Sequence, residues 1–148
     1  MRNNTPVTQR SVNVPAGSNI LSTTDAKGRI THINEEFVRI SGFTREELLG
    51  EPHNIVRHPD MPRGAYELMW QRLKTGKSWI GAVKNRCKNG DHYWVRAYAI
   101  PILNEQGAIS ELQSIRSELD SKVQARAEKL YAGLRKQEPS AGAISAPQ

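Results

Sequence analysis

The 148-residue chain carries 21 basic and 15 acidic side chains, for a formal net charge of +6, and 37% of its residues are hydrophobic. This length holds one modest core with flanking segments. No run approaches the roughly 20 apolar residues that span a membrane. The single cysteine, Cys87, excludes an internal disulfide and cysteine-rich zinc sites. The basic residues are scattered with few aromatic residues among them, which favours an ordinary solvated surface over a nucleic-acid interface.

The N-terminal part combines a polar arm with a β-hairpin. Residues 1–17 contain two prolines and a glycine and show no periodicity, which predicts a flexible arm. Residues 20–24 are rich in β-branched side chains and residues 29–33 alternate apolar with polar, so both segments predict strands. A turn at residues 25–28 joins the two strands in a hairpin.

Three helical segments follow the hairpin. Asn34 predicts the N-cap of a short helix, and Thr44 with Glu47 three residues later has the capping-box pattern of a second. Residues 53–62 are polar and irregular, and residues 63–74 predict a longer helix. The apolar residues of that longer helix at helical spacing are Ala65, Leu68, Met69 and Leu73.

Three strands and a helix complete the pattern. Residues 79–88, 92–103 and 108–116 predict strands, and Asn89-Gly90 predicts a two-residue type I′ hairpin turn. Residues 118–137 predict a helix with an apolar seam at spacings of three and four. The seam consists of Leu119, Val123, Ala127, Leu130 and Leu134.

The element order β-β-α-α-α-β-β-β-α predicts an α+β fold, with a five-stranded antiparallel sheet and short helices on one side. We expect a domain over residues 18–117, between the 1–17 arm and the 118–137 helix, with residues 138–148 as a linker or terminal extension. A ligand pocket between the sheet and the helices follows from this arrangement.

One polar residue stands on the apolar face of the 79–88 strand. Asn85 points inward, because three basic residues on the opposite face are expected to meet solvent. These basic residues are Lys84, Arg86 and Lys88. A buried amide needs partners for its carbonyl and its two N–H donors. Either neighbouring backbone or the polar edge of a planar heterocycle would satisfy Asn85, and the sequence leaves both readings open.

Two tryptophans accompany this asparagine. Trp70 lies on the predicted 63–74 helix and Trp79 begins the following strand. Either residue alone is typical of a hydrophobic core. Beside an inward asparagine, however, an aromatic plane suits a flat ring that both stacks and accepts hydrogen bonds.

The 53–62 segment contains the remaining candidate ligand-binding residues. His53, Arg57, His58 and Asp60 lie within it together with two prolines that restrict its backbone. Arg57 offers a planar fork for a carboxylate or phosphate, and an Arg57–Asp60 ion pair is the structural alternative. Ligand spacing for a metal site is lacking, and no nucleophile-and-base pattern or phosphate-binding loop appears, so we expect neither a metal site nor an enzyme.

Three stretches of the sequence resemble the FAD-binding PAS domain of bacterial aerotaxis receptors. They are ITHINEEFVRISGFTREELLG, PHNIVRHPDMP and MWQRLKTGKSWIGAVKNRCKNGDHYWVRA. The resemblance covers about residues 18–117. It implies a PAS fold that binds FAD non-covalently and reports electron transport or oxygen through the flavin redox state. It also implies a homodimeric, membrane-anchored receptor with this domain on the cytoplasmic side of the inner membrane, coupled to downstream signalling domains.

The resemblance also assigns residues to the cofactor. It implies that Trp70 packs at the isoalloxazine ring and that Asn85 bonds the pyrimidine edge of that ring. Arg57, His58 and Asp60 belong to the loop required for FAD binding. The remaining family positions are His53 near the ring, Asn34 between the second strand and the first helix, and Trp79.

Light-sensing flavin PAS domains carry an adduct-forming cysteine in the helical region that corresponds to residues 53–60. This chain has none there, so the resemblance favours reversible electron transfer over photoadduct formation. A PAS module that binds haem or another small molecule, or that dimerises without a cofactor, is the alternative. FMN in place of FAD also remains open from the residues alone.

Overall fold

The computed structural model describes residues 4–138. Five antiparallel strands form one sheet in the order β2-β1-β5-β4-β3, which confirms the predicted α+β architecture. The strands are β1 (Ile20–Asp25), β2 (Ile30–Ile33), β3 (Trp79–Arg86), β4 (His92–Leu103) and β5 (Ile109–Ser117). The helices are α1 (Glu35–Ser41), α2 (Arg45–Leu48), α3 (Arg63–Lys74) and α4 (Ser121–Gln137), with a 3-10 helix at His53–Val56.

The predicted caps position the short helices. Asn34 Oδ1 accepts a hydrogen bond from the Phe37 amide at the start of α1. Thr44 and Glu47 form the predicted capping box around α2. These helices bury Phe37 and Leu48 against the inner face of the sheet, where they join the core around Val95.

The turn between β3 and β4 differs from the predicted type I′ hairpin. β3 ends at Arg86, Gly90 N donates to the Cys87 carbonyl at 3.0 Å, and Cys87 N donates to the Asp91 carbonyl at 2.7 Å. A type I′ turn needs positive φ at both central residues, but of Asn89 and Gly90 only the glycine has it. The loop is therefore longer, with Gly90 as its left-handed residue.

The outer face of the sheet is covered at its β3–β4 end, so the expectation that Lys84 and Arg86 face solvent is wrong. Lys84 is 7% exposed and its Nζ lies 2.9 Å from Asp60 Oδ2. Arg86 is 8% exposed and its Nε donates to the Pro6 carbonyl. Lys88, the third basic residue, is exposed.

The described part of the N-terminal arm packs on the body of the domain. Val12 N donates to the His92 carbonyl and His92 N donates to the Arg10 carbonyl, which continues the sheet beside β4. The Asn4 amide donates to the carbonyls of Asn54 and Arg57. The arm therefore ties the start of β4 to the segment after the 3-10 helix.

Helix α4 folds back across the outer face. The Tyr131 hydroxyl donates to the Ala82 carbonyl at 2.6 Å, and its ring stacks on Trp94 with centroids 6.2 Å apart. The buried side of α4 is therefore built around Ala127 and Tyr131, whereas Leu130 of the predicted seam is 60% exposed. Within residues 4–138, no helix combines the length and apolar character needed to cross a membrane.

Candidate functional site

A cavity of about 450 Å³ lies between the inner face of the sheet and helix α3. Small side chains on the sheet leave this space open. Ala97 and Ala99 of β4 line the cavity, and their partners on β3 are Gly81 and Trp79. The volume lies in the range that holds a small organic ligand.

Helix α3 forms an aromatic wall of the cavity. Trp70 and Tyr66 are one turn apart on this helix, and both line the cavity with Met69 and Leu73. Leu68 points away and is 62% exposed, contrary to the predicted apolar side of the helix. The wall therefore offers aromatic and thioether surfaces for packing against a planar group.

Asn85 lines the cavity from strand β3, as its inward orientation predicted. It is 4% exposed and lies opposite Tyr93 in the register of β3 and β4. Within residues 4–138 its amide has no hydrogen bond to a neighbouring backbone group. The backbone explanation for this asparagine therefore does not apply. Its amide lies beside the Tyr93 hydroxyl and also faces the cavity.

Arg57 reaches the cavity from the segment after the 3-10 helix. Its guanidinium carbon lies 4.3 Å from the centroid of the Tyr66 ring, a cation–π contact that orients the side chain. Its backbone pairs with that of Asn85. Burial lowers the pKa of Arg57 from its usual value, and an arginine so lowered still carries its charge at neutral pH.

His53 joins a polar cluster on the sheet side of the cavity. Its Nε2 lies 3.1 Å from Ser22 Oγ, and Ser22 Oγ also accepts from Arg116 Nη2 at 2.7 Å. Because that serine accepts from arginine, its own hydrogen is free to point at His53 Nε2. Burial, with the nearby charge of Arg116, lowers the pKa of His53 from 6.5 to about 3, so the ring is neutral at physiological pH.

Sequence reasoning missed Arg116, the most deeply placed cation of the cavity. Arg116 follows Ser114 on the inner face of β5, and both residues line the cavity. The intervening Ile115 is 39% exposed on the outer face. Strict alternation along this strand could have found the site, but the apolar character of Ile115 favours the opposite assignment of the two faces.

The cavity lining has an unbalanced charge. Four of the described lining residues are cationic and none is aspartate or glutamate. These cations are Lys27, Arg29, Arg57 and Arg116. Lys27 and Arg29 lie in the exposed turn between β1 and β2 at the rim, whereas Arg116 is buried. This distribution favours a ligand that carries negative charge.

Three of the predicted site residues lie outside the cavity. Asn34 caps α1, and its side chain also bonds backbone groups of Asn19 and Leu21. His58 is fully buried with its ring 5.7 Å from that of His92, and Asp60 pairs with Lys84. The cavity lining therefore includes none of these three side chains.

The described part of the chain has neither a cluster of metal-binding side chains nor a cysteine at the cavity. No group of three or more potential metal-binding His, Cys, Asp or Glu side chains is brought together there. Cys87 is buried with its Sγ 3.2 Å from the Ile40 carbonyl, away from the cavity. Burial raises the pKa of this thiol to about 11.

A family model described as the PAS fold matches residues 30–116. The chain belongs to the PAS family. It is 51% identical over 128 residues to the aerotaxis receptor of Escherichia coli K12, a match that covers 86% of this chain and 25% of the receptor. It is 30% identical over 106 residues to the nitrogen fixation regulatory protein of Klebsiella pneumoniae, covering 72% and 21% respectively. The chain therefore spans about a quarter or less of the length of these relatives.

Solved structures show the same PAS fold. A light-oxygen-voltage domain studied with a flavin analogue superimposes with a TM-score of 0.65 at 15% identity, covering 81% of this chain and 89% of that domain. The light-state LOV domain of the blue-light photoreceptor Aureochrome1 gives a TM-score of 0.64 at 16% identity, covering 79% and 91%.

Proposed function

We propose that this PAS domain is the sensor of an aerotaxis receptor, with non-covalently bound FAD whose redox state is the signal. The observation that carries the proposal is the cavity, where an aromatic wall, a buried amide without a backbone partner and four cationic side chains face one space. The 51% identity to the E. coli receptor supports the receptor role. Bound flavin would supply reversible electron transfer, so the domain acts as a sensor without catalysing a reaction.

The donor set of the cavity fits a flavin. Trp70 and Trp79 offer ring surfaces for packing, and Asn85 offers both a carbonyl and N–H donors for the pyrimidine edge of the isoalloxazine. Arg57, stacked on Tyr66, offers hydrogen-bond donors to the ribityl or phosphate part. The light-oxygen-voltage neighbour studied with a flavin analogue supports a flavin in this fold.

The cations of the cavity favour the dinucleotide over a neutral ligand. Lys27 and Arg29 lie exposed at the rim, where they would hold phosphate groups. His53, neutral and hydrogen-bonded to Ser22, would lie close to the ring without adding a further charge. Asn34, His58 and Asp60 would act by holding α1 and the 57–61 segment in place.

Haem fits the same cavity less well. His53 is the histidine that lines it within residues 4–138, and its Nε2 already faces the Ser22 hydroxyl. An axial ligand to haem iron would have to give up that contact. His58 faces His92 outside the cavity, so it offers no alternative ligand.

The signal has a direct structural route to the outer face. Asn85 and Ala82 lie on the same strand, and the Ala82 carbonyl accepts the hydrogen bond from Tyr131 of α4. We propose that a change in hydrogen bonding at Asn85 moves β3 and thereby alters the packing of α4. In the proposed receptor, this helix would connect to downstream signalling domains of a membrane-anchored homodimer, with the sensor on the cytoplasmic side of the inner membrane.

Separate binding titrations with three candidate cofactors test the proposed FAD-dependent sensing. The full chain, stripped of any bound chromophore, is titrated separately with FAD, FMN and haemin while tryptophan fluorescence and visible absorption are recorded. We expect FAD to bind and quench fluorescence, FMN to bind more weakly because it lacks the adenosine monophosphate half of FAD, and haemin to give no saturable spectral change. Saturable haemin binding without FAD binding would overturn the proposal in favour of a haem sensor.

A further inference from the structure

Arg116 is a buried cation in contact with the cavity. The residue is 3% exposed, and its Nη1 and Nη2 donate to Ser114 Oγ at 2.5 Å and Ser22 Oγ at 2.7 Å. Its guanidinium carbon lies 5.0 Å from the centroid of the Phe37 ring. Its Nε is buried without a hydrogen-bond partner. The two serine hydroxyls and the Phe37 ring therefore hold the guanidinium in place.

The protein does not neutralise this charge. Within residues 4–138, no carboxylate forms an ion pair with Arg116, and its contacts are hydroxyl oxygens and an aromatic face. Burial lowers the pKa of Arg116 to about 10, so the side chain remains charged at neutral pH. A buried ion without a counter-charge is costly. An electron-rich group on an occupant of the cavity would offset part of that cost.

We infer that Arg116 is the specificity-determining residue at the buried end of the cavity, where it selects a ligand group that is electron-rich and can gain negative charge. This inference rests on the proposed flavin binding. When an external donor such as dithionite transfers two electrons to the flavin ring and one proton is taken up, the ring gains one negative charge. A fixed cation in a low-dielectric site stabilises that product more than the neutral oxidised ring. Arg116 therefore makes the bound flavin easier to reduce.

Charge-altering variants of Arg116 test the inference. Arg116→Met removes the charge, Arg116→Gln removes it but keeps a side chain with N–H donors, and Arg116→Lys retains it. Arg96→Met is the matched control, because Arg96 is exposed on the neighbouring strand β4. Each full-length variant is loaded with FAD, its fold is checked by circular dichroism, and its midpoint potential is measured by co-reduction with a reference dye.

We expect the ratio of reduced to oxidised flavin at a fixed potential to fall about tenfold in Arg116→Met and Arg116→Gln, which corresponds to about 1.4 kcal/mol. Arg116→Lys should lose less, and Arg96→Met should match the parent protein. A folded Arg116→Met or Arg116→Gln protein that loses FAD affinity about tenfold or more while Arg96→Met does not would also support the inference.

Two outcomes overturn it and can be told apart. If the parent protein binds FAD and the neutral variants keep both its potential and its affinity, Arg116 does not select the ligand, while the proposed function stands. If the parent protein binds no FAD, the proposed function and this inference fail together. If Arg116→Met does not fold, Arg116→Gln decides the result, because it keeps an uncharged polar side chain with N–H donors at this position.

Discussion

The backbone of Arg57 pairs antiparallel with the backbone of Asn85, which joins the segment after the 3-10 helix to the edge strand β3. This pairing places a guanidinium and an inward amide on the same cavity although 28 positions separate them in the numbering. It also covers part of a strand edge that would otherwise be free to pair with another chain. The Arg57–Asn85 pairing therefore brings two cavity residues together and also covers part of the free edge of β3.

Replacement of Asn85 tests the polar end of the proposed flavin site. Asn85→Ala removes the buried amide that faces the cavity, so we expect it to lower FAD affinity at least about tenfold. Fluorescence titration with FAD measures the effect. Gln106→Ala is the control, because Gln106 is an exposed amide in the turn between β4 and β5. Equal affinity in both variants would exclude Asn85 from the binding site.

The carboxylate of Glu138 caps helix α3, whose N-cap residue Pro62 supplies no side-chain hydrogen bond. Glu138 accepts from the amides of Arg63 at 3.1 Å and Gly64 at 2.9 Å. We expect Glu138→Ala to lower the free energy of unfolding by about 1 kcal/mol. Hydrogen exchange at the Gly64 amide should accelerate.

The exposed Glu105 provides the comparison for this variant. Glu105→Ala should change neither the unfolding free energy nor exchange in α3. If Glu138→Ala leaves the exchange of the Gly64 amide as it was, the carboxylate does not cap α3 in solution.

Tyr131→Phe tests the docking of α4 on the sheet. The substitution keeps the ring against Trp94 but removes the hydrogen bond to the Ala82 carbonyl. We expect a loss of about 1 kcal/mol in unfolding free energy, because a buried acceptor loses its partner. Denaturant unfolding followed by tryptophan fluorescence gives this value. Tyr98→Phe, at a half-buried tyrosine of β4, should have no comparable effect.

Stability should fall in acid because of His53. Its pKa in the folded protein is about 3, compared with 6.5 for the free side chain, so the unfolded chain takes up the proton first as the pH falls. The folded state therefore loses stability as the pH falls from 6.5 towards about 3, and keeps it above 6.5. Urea unfolding across this range measures the loss.

His53→Gln should reduce this acid dependence, whereas His32→Gln, at an exposed position, should leave it as it is. Burial also lowers the pKa values of His58 and His92, so part of the dependence will persist in His53→Gln. An unchanged dependence in His53→Gln would mean that this ring is not buried in the neutral form.

Local patterns predicted much of the fold. The caps at Asn34 and Thr44 are encoded within four residues, and α3 follows from helical spacing over residues 63–74. The inward orientation of Asn85 follows from alternation along one strand. Each of these features depends on neighbours close in sequence, which is why the sequence reveals them.

Features that depend on distant contacts escaped prediction. The burial of Lys84 requires Asp60 beside it, and α4 covers the sheet through Tyr131, which was not part of the predicted seam. Arg116 lies on the inner face of the sheet, where it donates hydrogen bonds to two serines and contacts an aromatic ring. Its neighbour Ile115 lies on the outer face and is partly exposed. A prediction based on hydrophobicity alone would place Ile115 on the inner face of β5 and Arg116 on the outer face, which is the opposite of what the structure has.

Flavin binding by this domain can be measured through the visible absorption spectrum of the purified full chain, followed by release and chromatographic identification of its chromophore. We expect the two absorption bands of an oxidised flavin, which bleach with dithionite and return in air, and FAD as the released compound. A haem Soret band, or a colourless protein that does not take up added FAD, would contradict this expectation.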